Sequence, residues 1–438
     1  VRALARKPAG HQQVDSKAHA RGEGNIVDLM SSNSPHQAQE WTRQLVPVRP
    51  PSSRAADLPI SGASFAQAET DSRKFIDIGD LTLETGGVLP NVRIAYETWG
   101  TLNSAGDNAV LILHALTGDS HVTSAAEPDP EAPQADGWWQ DMVGPGAPID
   151  TNRYFVVAPN VLGGCQGTTG PSTPAPDGKP WGSQFPVITI RDQVAAEIAF
   201  SARLGITNWR FIAGASMGGL RVLEWSIMGP EQGINVQSIA VIAASAQATG
   251  DQIAWAHPQI AAIEADSHFN NGDYYSNANG KGPSTGLGIA RQIAHATYRS
   301  AKELDQRFGR IPQHAEDPMY GGRFAVQSYL DHHADKLARR FDANSYIVLT
   351  QAMLTHDLGR DRGGVATALR TITCPTLVVA VDSDRLFLPR ESGRIAAHIP
   401  AAVPLETLHS DYGHDGFLIE FDQLGPIVDK FLRRHAAS

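Results

Sequence analysis

The stretch that most constrains the fold is Phe211-Ile212-Ala213-Gly214-Ala215-Ser216-Met217-Gly218-Gly219-Leu220. An apolar run ends in Gly-x-Ser-x-Gly and passes into a pattern with Leu220, Leu223 and Ile227 at helical spacing. A serine at the apex of such a strand-to-helix turn sits in strained backbone. Glycine is needed on either side, because a Cβ at Gly214 or Gly218 would run into the neighbouring strand or helix. Ser216 then stands at a helix N-terminus, where free backbone N–H groups can receive a developing negative charge.

The remaining pattern supplies the sheet this turn requires. Residues 75–78, 81–83 and 92–98 read as strands, with turns at Gly79-Asp80 and over 84–90. Residues 109–114 and 154–158 are short continuous apolar runs, as expected of strands buried on both faces. A helix follows at 194–204, then the strands 210–213 and 238–244, and much later 376–381 and 404–408. Leu424, Ile427, Val428, Phe431 and Leu432 share one face of a final helix. This alternation predicts an α/β fold with a mostly parallel sheet and helices on both faces. Residues 247–371 have helical spacing and no convincing strand, too long a stretch for one crossover. They are expected to form a helical lid inserted over the strand ends, between core segments 74–246 and 372–438. Residues 1–73 are polar and interrupted by Pro47, Pro50, Pro51 and Pro59, and read as a disordered N-terminal extension.

Composition narrows the function. With 438 residues and a net charge of −10, the chain can bury a large core and is ill suited to nonspecific nucleic-acid binding. Two cysteines, Cys165 and Cys374, cannot build a disulfide framework or a thiolate metal site. There is no apolar run of membrane-spanning length and no secretory h-region, so the expectation is a cytoplasmic protein with no membrane partner.

A serine hydroxyl needs a base, and the base an orienting acid. In this architecture the chain order is serine, acid, histidine. The strand at 376–381 ends in Asp382-Ser383-Asp384, and the last strand leads into His409-Ser410-Asp411-Tyr412-Gly413-His414-Asp415-Gly416-Phe417. His414, before the final helix and beside glycine, has the loop freedom to reach Ser216; His409 is the alternative. Asp384 is chosen over Asp382, which as a strand-end aspartate would satisfy turn N–H groups. The expected oxyanion donors are the N–H groups of Met217 and, from the loop His114-Ala-Leu-Thr-Gly118, of Leu116.

At these residues the chain resembles the homoserine O-acetyltransferases of the α/β-hydrolase superfamily. The matching segments are His114-Ala-Leu-Thr-Gly-Asp119, Asn160-Val-Leu-Gly-Gly-Cys-Gln-Gly-Thr-Thr-Gly-Pro171, Asp177-Gly-Lys-Pro-Trp-Gly182, Gly214-Ala-Ser-Met-Gly-Gly219 and Tyr412-Gly-His-Asp-Gly-Phe417. The resemblance covers the chain from about Lys74 onward. It implies transfer of an acetyl group from acetyl-coenzyme A to L-homoserine through an acyl-serine, in methionine biosynthesis, with no permanently bound cofactor and a homodimer formed through the lid. It assigns Ser216, Asp384 and His414 to the triad and Leu116 and Met217 to the oxyanion hole. Arg291, within Leu287-Gly-Ile-Ala-Arg-Gln-Ile-Ala-His-Ala-Thr-Tyr298, corresponds to the arginine that holds the homoserine carboxylate, and Asp415 to the aspartate that meets its ammonium. A guanidinium forks a carboxylate and a carboxylate accepts from an ammonium, so the pair suits a free amino acid. Tyr298 lies seven residues beyond Arg291, on the same helix face.

Succinyl as donor and serine as acceptor stay open, as does an esterase using water on the same triad. A binding protein on an inactive hydrolase fold is the reading from another class. Cys165 has no identifiable base and reads as a structural thiol. Gly163-Gly164 and Gly167 lack the Lys-Ser/Thr ending of a phosphate loop. His332 and His333 are adjacent rather than four apart, so no metal site is expected.

Overall fold

The computed structural model describes residues 73–124, 136–277 and 281–435. The expected N-terminal extension thus falls, apart from Arg73, outside the described residues. Eight strands form the main sheet: β1 Lys74–Thr82, β2 Val88–Trp99, β3 Ala109–Leu113, β4 Phe155–Pro159, β5 Asn208–Ala215, β6 Ile239–Ile242, β7 Thr376–Val381 and β8 Glu406–Leu408. Their order is β1-β2-β4-β3-β5-β6-β7-β8, and a two-residue strand, Asn235–Val236, adds to β5. β1 and β2 pair antiparallel, as do β2 and β4, and every pairing from β4 through β3 to β8 is parallel.

The parallel strands are buried on both faces, which is why they read as unbroken apolar runs. Along β3, Ala109, Leu111 and Leu113 join one core while Val110 and Ile112 join the other. The first core contains Val194 and Phe200 of α1 (Ile190–Arg203) and Leu220, Leu223 and Trp225 of α2 (Met217–Glu231). The second is closed by Leu424, Val428, Phe431 and Leu432 of the last helix, Phe421–His435. Thr189 begins α1 through a capping box with Asp192, two reciprocal bonds that fix the helix start.

One expectation needs correction. Gly79-Asp80 is not a turn. β1 runs through it, with register shifts on both sides of Gly79, which has φ 82°. A glycine at positive φ inside a strand makes a bulge as readily as a turn, and only the partner strand decides which. The reversal comes later, where Leu83 N–H donates to Gly87 O and Gly86 N–H to Leu83 O.

Between β6 and β7 the described residues form helices α3 Gly250–Glu264, α4 Ser284–Tyr298, α5 Ala301–Arg307, α6 Ala325–Ala338, α7 Ala343–Leu354 and α8 Val365–Arg370. α4 packs between α3 and α6. Leu287 of α4 and Tyr346 and Leu349 of α7 belong to the same apolar cluster as α1 and α2, so these helices are seated on the sheet domain by continuous packing. No helix among the described residues is long and apolar enough to cross a membrane.

Candidate active site

Ser216 lies between the end of β5 and the start of α2 with φ 56° and ψ −126°. A β-carbon at Gly214 would lie 2.5 Å from the carbonyl carbon of Gly218, and one at Gly218 would lie 2.0 Å from the carbonyl oxygen of Leu113. Both glycines are therefore required by close backbone approach. The strained turn is anchored by the Ser216 N–H, which donates to Ile242 O at 2.9 Å.

Three loops converge on this serine. Ser216 Oγ is 2.9 Å from His414 Nε2, and His414 Nδ1 is 2.6 Å from Asp384 Oδ2. The other carboxylate oxygen of Asp384 accepts from the N–H groups of Leu386 at 2.8 Å and Phe387 at 2.9 Å, so the acid itself is held. His414 and Asp384 are each 3% exposed. Phe387 stacks on the imidazole and Phe417 meets it edge-on. Burial disfavours the imidazolium, but the Asp384 charge and hydrogen bond, with Asp415, win and raise the His414 pKa above its ordinary value. Gly413 makes this approach possible: it has φ 66°, and a β-carbon there would lie 2.5 Å from Tyr298 O. The alternatives from the sequence pair with each other. His409 Nδ1 lies 2.9 Å from Asp382 Oδ2 with its side chain 80% exposed, and Asp382 accepts from the Ser410 N–H.

Met217, as the first residue of α2, has no intrahelical acceptor for its N–H. The Leu116 N–H makes no hydrogen bond among the described residues. The loop carrying Leu116 is set by His114, a residue whose role the sequence did not reveal. Val161 N–H donates to His114 Nε2 at 3.0 Å and His114 Nδ1 donates to Ala115 O at 2.8 Å. Both nitrogens are thus used by a neutral ring, whose pKa burial and the Arg221 charge lower to about 3. Arg221 of α2 donates to His114 O and pairs with Glu197 of α1. Buried charges therefore lock the loop against the helix that follows Ser216.

Arg291 and Tyr298 are one above the other on α4, with the guanidinium carbon 5.3 Å from the ring centre. The Tyr298 ring lies 5.8 Å from that of His414. Arg291 Nε and Nη1 are buried and have no hydrogen-bond partner among the described residues. Asp415, next to His414, keeps a side chain 16% exposed and takes a 3.3 Å ion pair from Arg299. Burial raises its pKa, against the charges of His414, Arg291 and Arg299. Arg299 also grips Glu303 and lies over Tyr412. Its spacing to Glu303 is a readable i,i+4 pair, whereas its contact with Asp415 joins residues 116 apart and has no local signal.

Beside these groups is a cavity of about 520 Å³, lined among others by Leu116, Leu220, Trp255, Tyr298, Met353 and Phe387. The Cys165 thiol is buried and accepts from the Asp342 N–H, and burial pushes its pKa up, the reverse of an activated thiol. His333 stacks on His295 with ring centres 4.0 Å apart, and no metal-binding group of three ligands occurs among the described residues.

A family model for the alpha/beta hydrolase fold matches residues 108–421. The homoserine O-acetyltransferase of Thermobifida fusca is 55% identical over 376 residues, covering 86% of this chain and 97% of that protein. That of Leifsonia xyli subsp. xyli is 53% identical over 372 residues, covering 84% of this chain and 91% of that protein. Among solved structures, the homoserine O-acetyltransferase of Bacillus anthracis aligns with TM-score 0.75 at 23% identity over 84% of this chain and 98% of that one, a likeness of fold. Esterase E22 aligns with TM-score 0.73 at 26% identity over 82% of this chain and 99% of that one. With half its residues shared along nearly the whole length of such relatives, and the serine turn those residues build, the chain belongs to the homoserine O-acetyltransferase family of the α/β-hydrolase fold.

Proposed function

We propose that this enzyme moves an acetyl group from acetyl-coenzyme A to the hydroxyl of L-homoserine by double displacement, as a step of methionine biosynthesis. Ser216 Oγ attacks the thioester carbonyl while His414 Nε2 takes its proton, and Asp384 holds the imidazole in the tautomer this needs. The Leu116 and Met217 N–H groups receive the oxyanion. The proton passes to the departing thiolate. His414 then deprotonates the homoserine hydroxyl, which attacks the acyl-serine.

The observation that carries the acceptor is the unpaired buried guanidinium of Arg291. A cation left without a partner at a buried site is costly unless a ligand completes it. It lies on Tyr298, against His414, and the Asp415 carboxylate follows His414 in the chain. An anion site and a cation site flanking one base suit a zwitterionic amino acid whose side-chain hydroxyl reaches Ser216. No resident cofactor or metal enters this scheme. The setting is cytoplasmic, and the partner is a second copy of the chain docked through the lid, whose helix α3 exposes Ile253 and Trp255.

The decisive experiment measures thiol release from acetyl-coenzyme A and succinyl-coenzyme A, each with and without L-homoserine and L-serine. Release from acetyl-coenzyme A that depends on homoserine is expected. Release independent of any amino acid would make water the acceptor, the activity the likeness to an esterase brings to mind.

A further inference from the structure

Two compartments of different character adjoin Ser216 and His414. One carries the charges of Arg291 and Asp415. The other is the cavity of about 520 Å³, and none of the residues lining it is charged. Its amides are turned into the protein. Gln252 donates to Leu386 O and accepts from the Thr249 N–H, while Gln259 donates to Trp255 O and accepts from the Tyr346 hydroxyl. The Thr297 hydroxyl donates to Ala294 O, and the Thr350 hydroxyl has no partner among the described residues. The surface left to a ligand is mostly that of leucine, methionine, alanine and aromatic side chains.

The chemistry assigns the two spaces. With a single base, the departing sulfur receives its proton from His414 Nε2, and the entering oxygen later gives its proton to the same atom. Sulfur and oxygen therefore occupy the same position beside Nε2 in turn. The charges that hold the acceptor put that position on the Arg291 and Asp415 side. The third substituent of the reacting carbon, the acyl chain, must point elsewhere, and the neutral cavity flanked by Leu116 and Leu220 is the space open to it. An acetyl group fills it with one methyl, whereas cavities of roughly 300–1,000 Å³ take whole drug-sized ligands.

We propose that this cavity is an acyl-chain subsite, and that the enzyme transfers uncharged linear acyl groups longer than acetyl. This rests on the acyl-transfer reading above. The bonds are those of the shorter substrate. Ser216 Oγ–C forms as C–S breaks, with the Oγ proton carried by Nε2 to the thiolate. The acceptor O–C bond then forms as Oγ–C breaks, and the acceptor proton returns through Nε2 to Oγ. A terminal carboxylate finds no cation in the cavity, so the subsite rejects succinyl while taking butyryl of the same carbon count.

The test compares acetyl-, butyryl-, hexanoyl- and succinyl-coenzyme A with homoserine, and p-nitrophenyl acetate, butyrate and hexanoate without it. The ester series reads acylation of Ser216 whatever the acceptor. Butyryl is expected within about tenfold of acetyl in kcat/KM, a loss no larger than one methylene ordinarily makes in a tight pocket. Succinyl is expected lower than butyryl by about a thousandfold. Ala256→Phe, which fills the cavity from α3, should lower the hexanoyl-to-acetyl ratio about thirtyfold, and Trp255→Ala, at the partly exposed rim, should raise it. A loss of about a hundredfold on going from acetyl to butyryl in both series overturns the proposal. So does an Ala256→Phe variant that slows acetyl and hexanoyl equally, because the cavity would then hold the arm of the leaving thiol. If Ala256→Phe fails to fold, the ratio in Trp255→Ala decides alone, and an unchanged ratio overturns the proposal. A chain-length series that holds with esters while homoserine has no effect on thiol release retains the subsite and removes the acceptor reading.

Discussion

The serine turn and the lid treat buried polar groups in opposite ways. Around Ser216 they are bonded: His414 and His114 each use both ring nitrogens, and Asp384 accepts from His414, Leu386 and Phe387. On α4, Arg291 Nε and Nη1 and His295 Nδ1 are buried with no partner among the described residues. A satisfied network is rigid and costs nothing to reorganise when charge develops on a substrate. An unsatisfied cation lowers stability until something binds it. The contrast separates the place built for bond making from the place built for recognition.

The sharpest break of this contrast is Ser216→Ala. On the proposed mechanism it lowers kcat by about 10⁶-fold and abolishes the acylation burst with p-nitrophenyl acetate. A covalent acyl adduct on another residue of that variant would remove the assignment. Next in size is a matched pair of glycine substitutions. Gly218→Ala drives a methyl into Leu113 O and should destabilise by about 4 kcal/mol or more in urea titration. Gly288→Ala on α4 has Ala334 Cβ at 3.4 Å as its nearest contact and should change stability by no more than about 1 kcal/mol. Arg291→Met then sharpens the comparison by moving two readouts apart. KM for homoserine should rise about a hundredfold, while thermal stability increases by about 1–3 kcal/mol because a buried unpaired charge is gone. A fall in both stability and affinity would mean that Arg291 is structural.

The smallest effect is in pH. His114, His295 and His356 are buried neutral, with pKa values lowered by burial and nearby arginines to about 3, 2 and 3. Their folded values lie below the unfolded value near 6.5. Their contribution is therefore complete above pH 6.5 and declines as pH falls toward those values. The slope is about 1.4 kcal/mol per pH unit for each group once the unfolded histidine is protonated. His414, with its raised pKa, runs the other way and offsets part of this. Melting temperatures at pH 7 and pH 5 should show net loss at pH 5. His356→Gln, away from the serine, should reduce that difference.

How much was legible follows the range of each interaction. The strands of the parallel core could be read because two buried faces leave unbroken apolar runs. The bulge at Gly79 could not, because turn and bulge use the same local glycine and differ in a partner strand. His114 looked like one more residue of the loop before Leu116, and its part in shaping that loop appears only with Val161 beside it. Arg299 was missed for the same reason, since Asp415 comes to it from the far side of the chain.

By itself the sequence determined the turn at Ser216, because steric exclusion over five residues admits glycine alone at Gly214 and Gly218. It also determined the layered α/β arrangement, which follows from periodicity. Only the tertiary structure decided which histidine and which aspartate meet the serine. His414 and Ser216 are 198 residues apart and His414 and Asp384 are 30 apart, and nothing local distinguishes them from His409 and Asp382. The choice rests on the path of two loops, set at Gly413 by its backbone angle and by the close approach of Tyr298. The neutral cavity was decided the same way, since its wall gathers α2, α3, α4 and α7 from segments whose own spacing says only that each has a buried face.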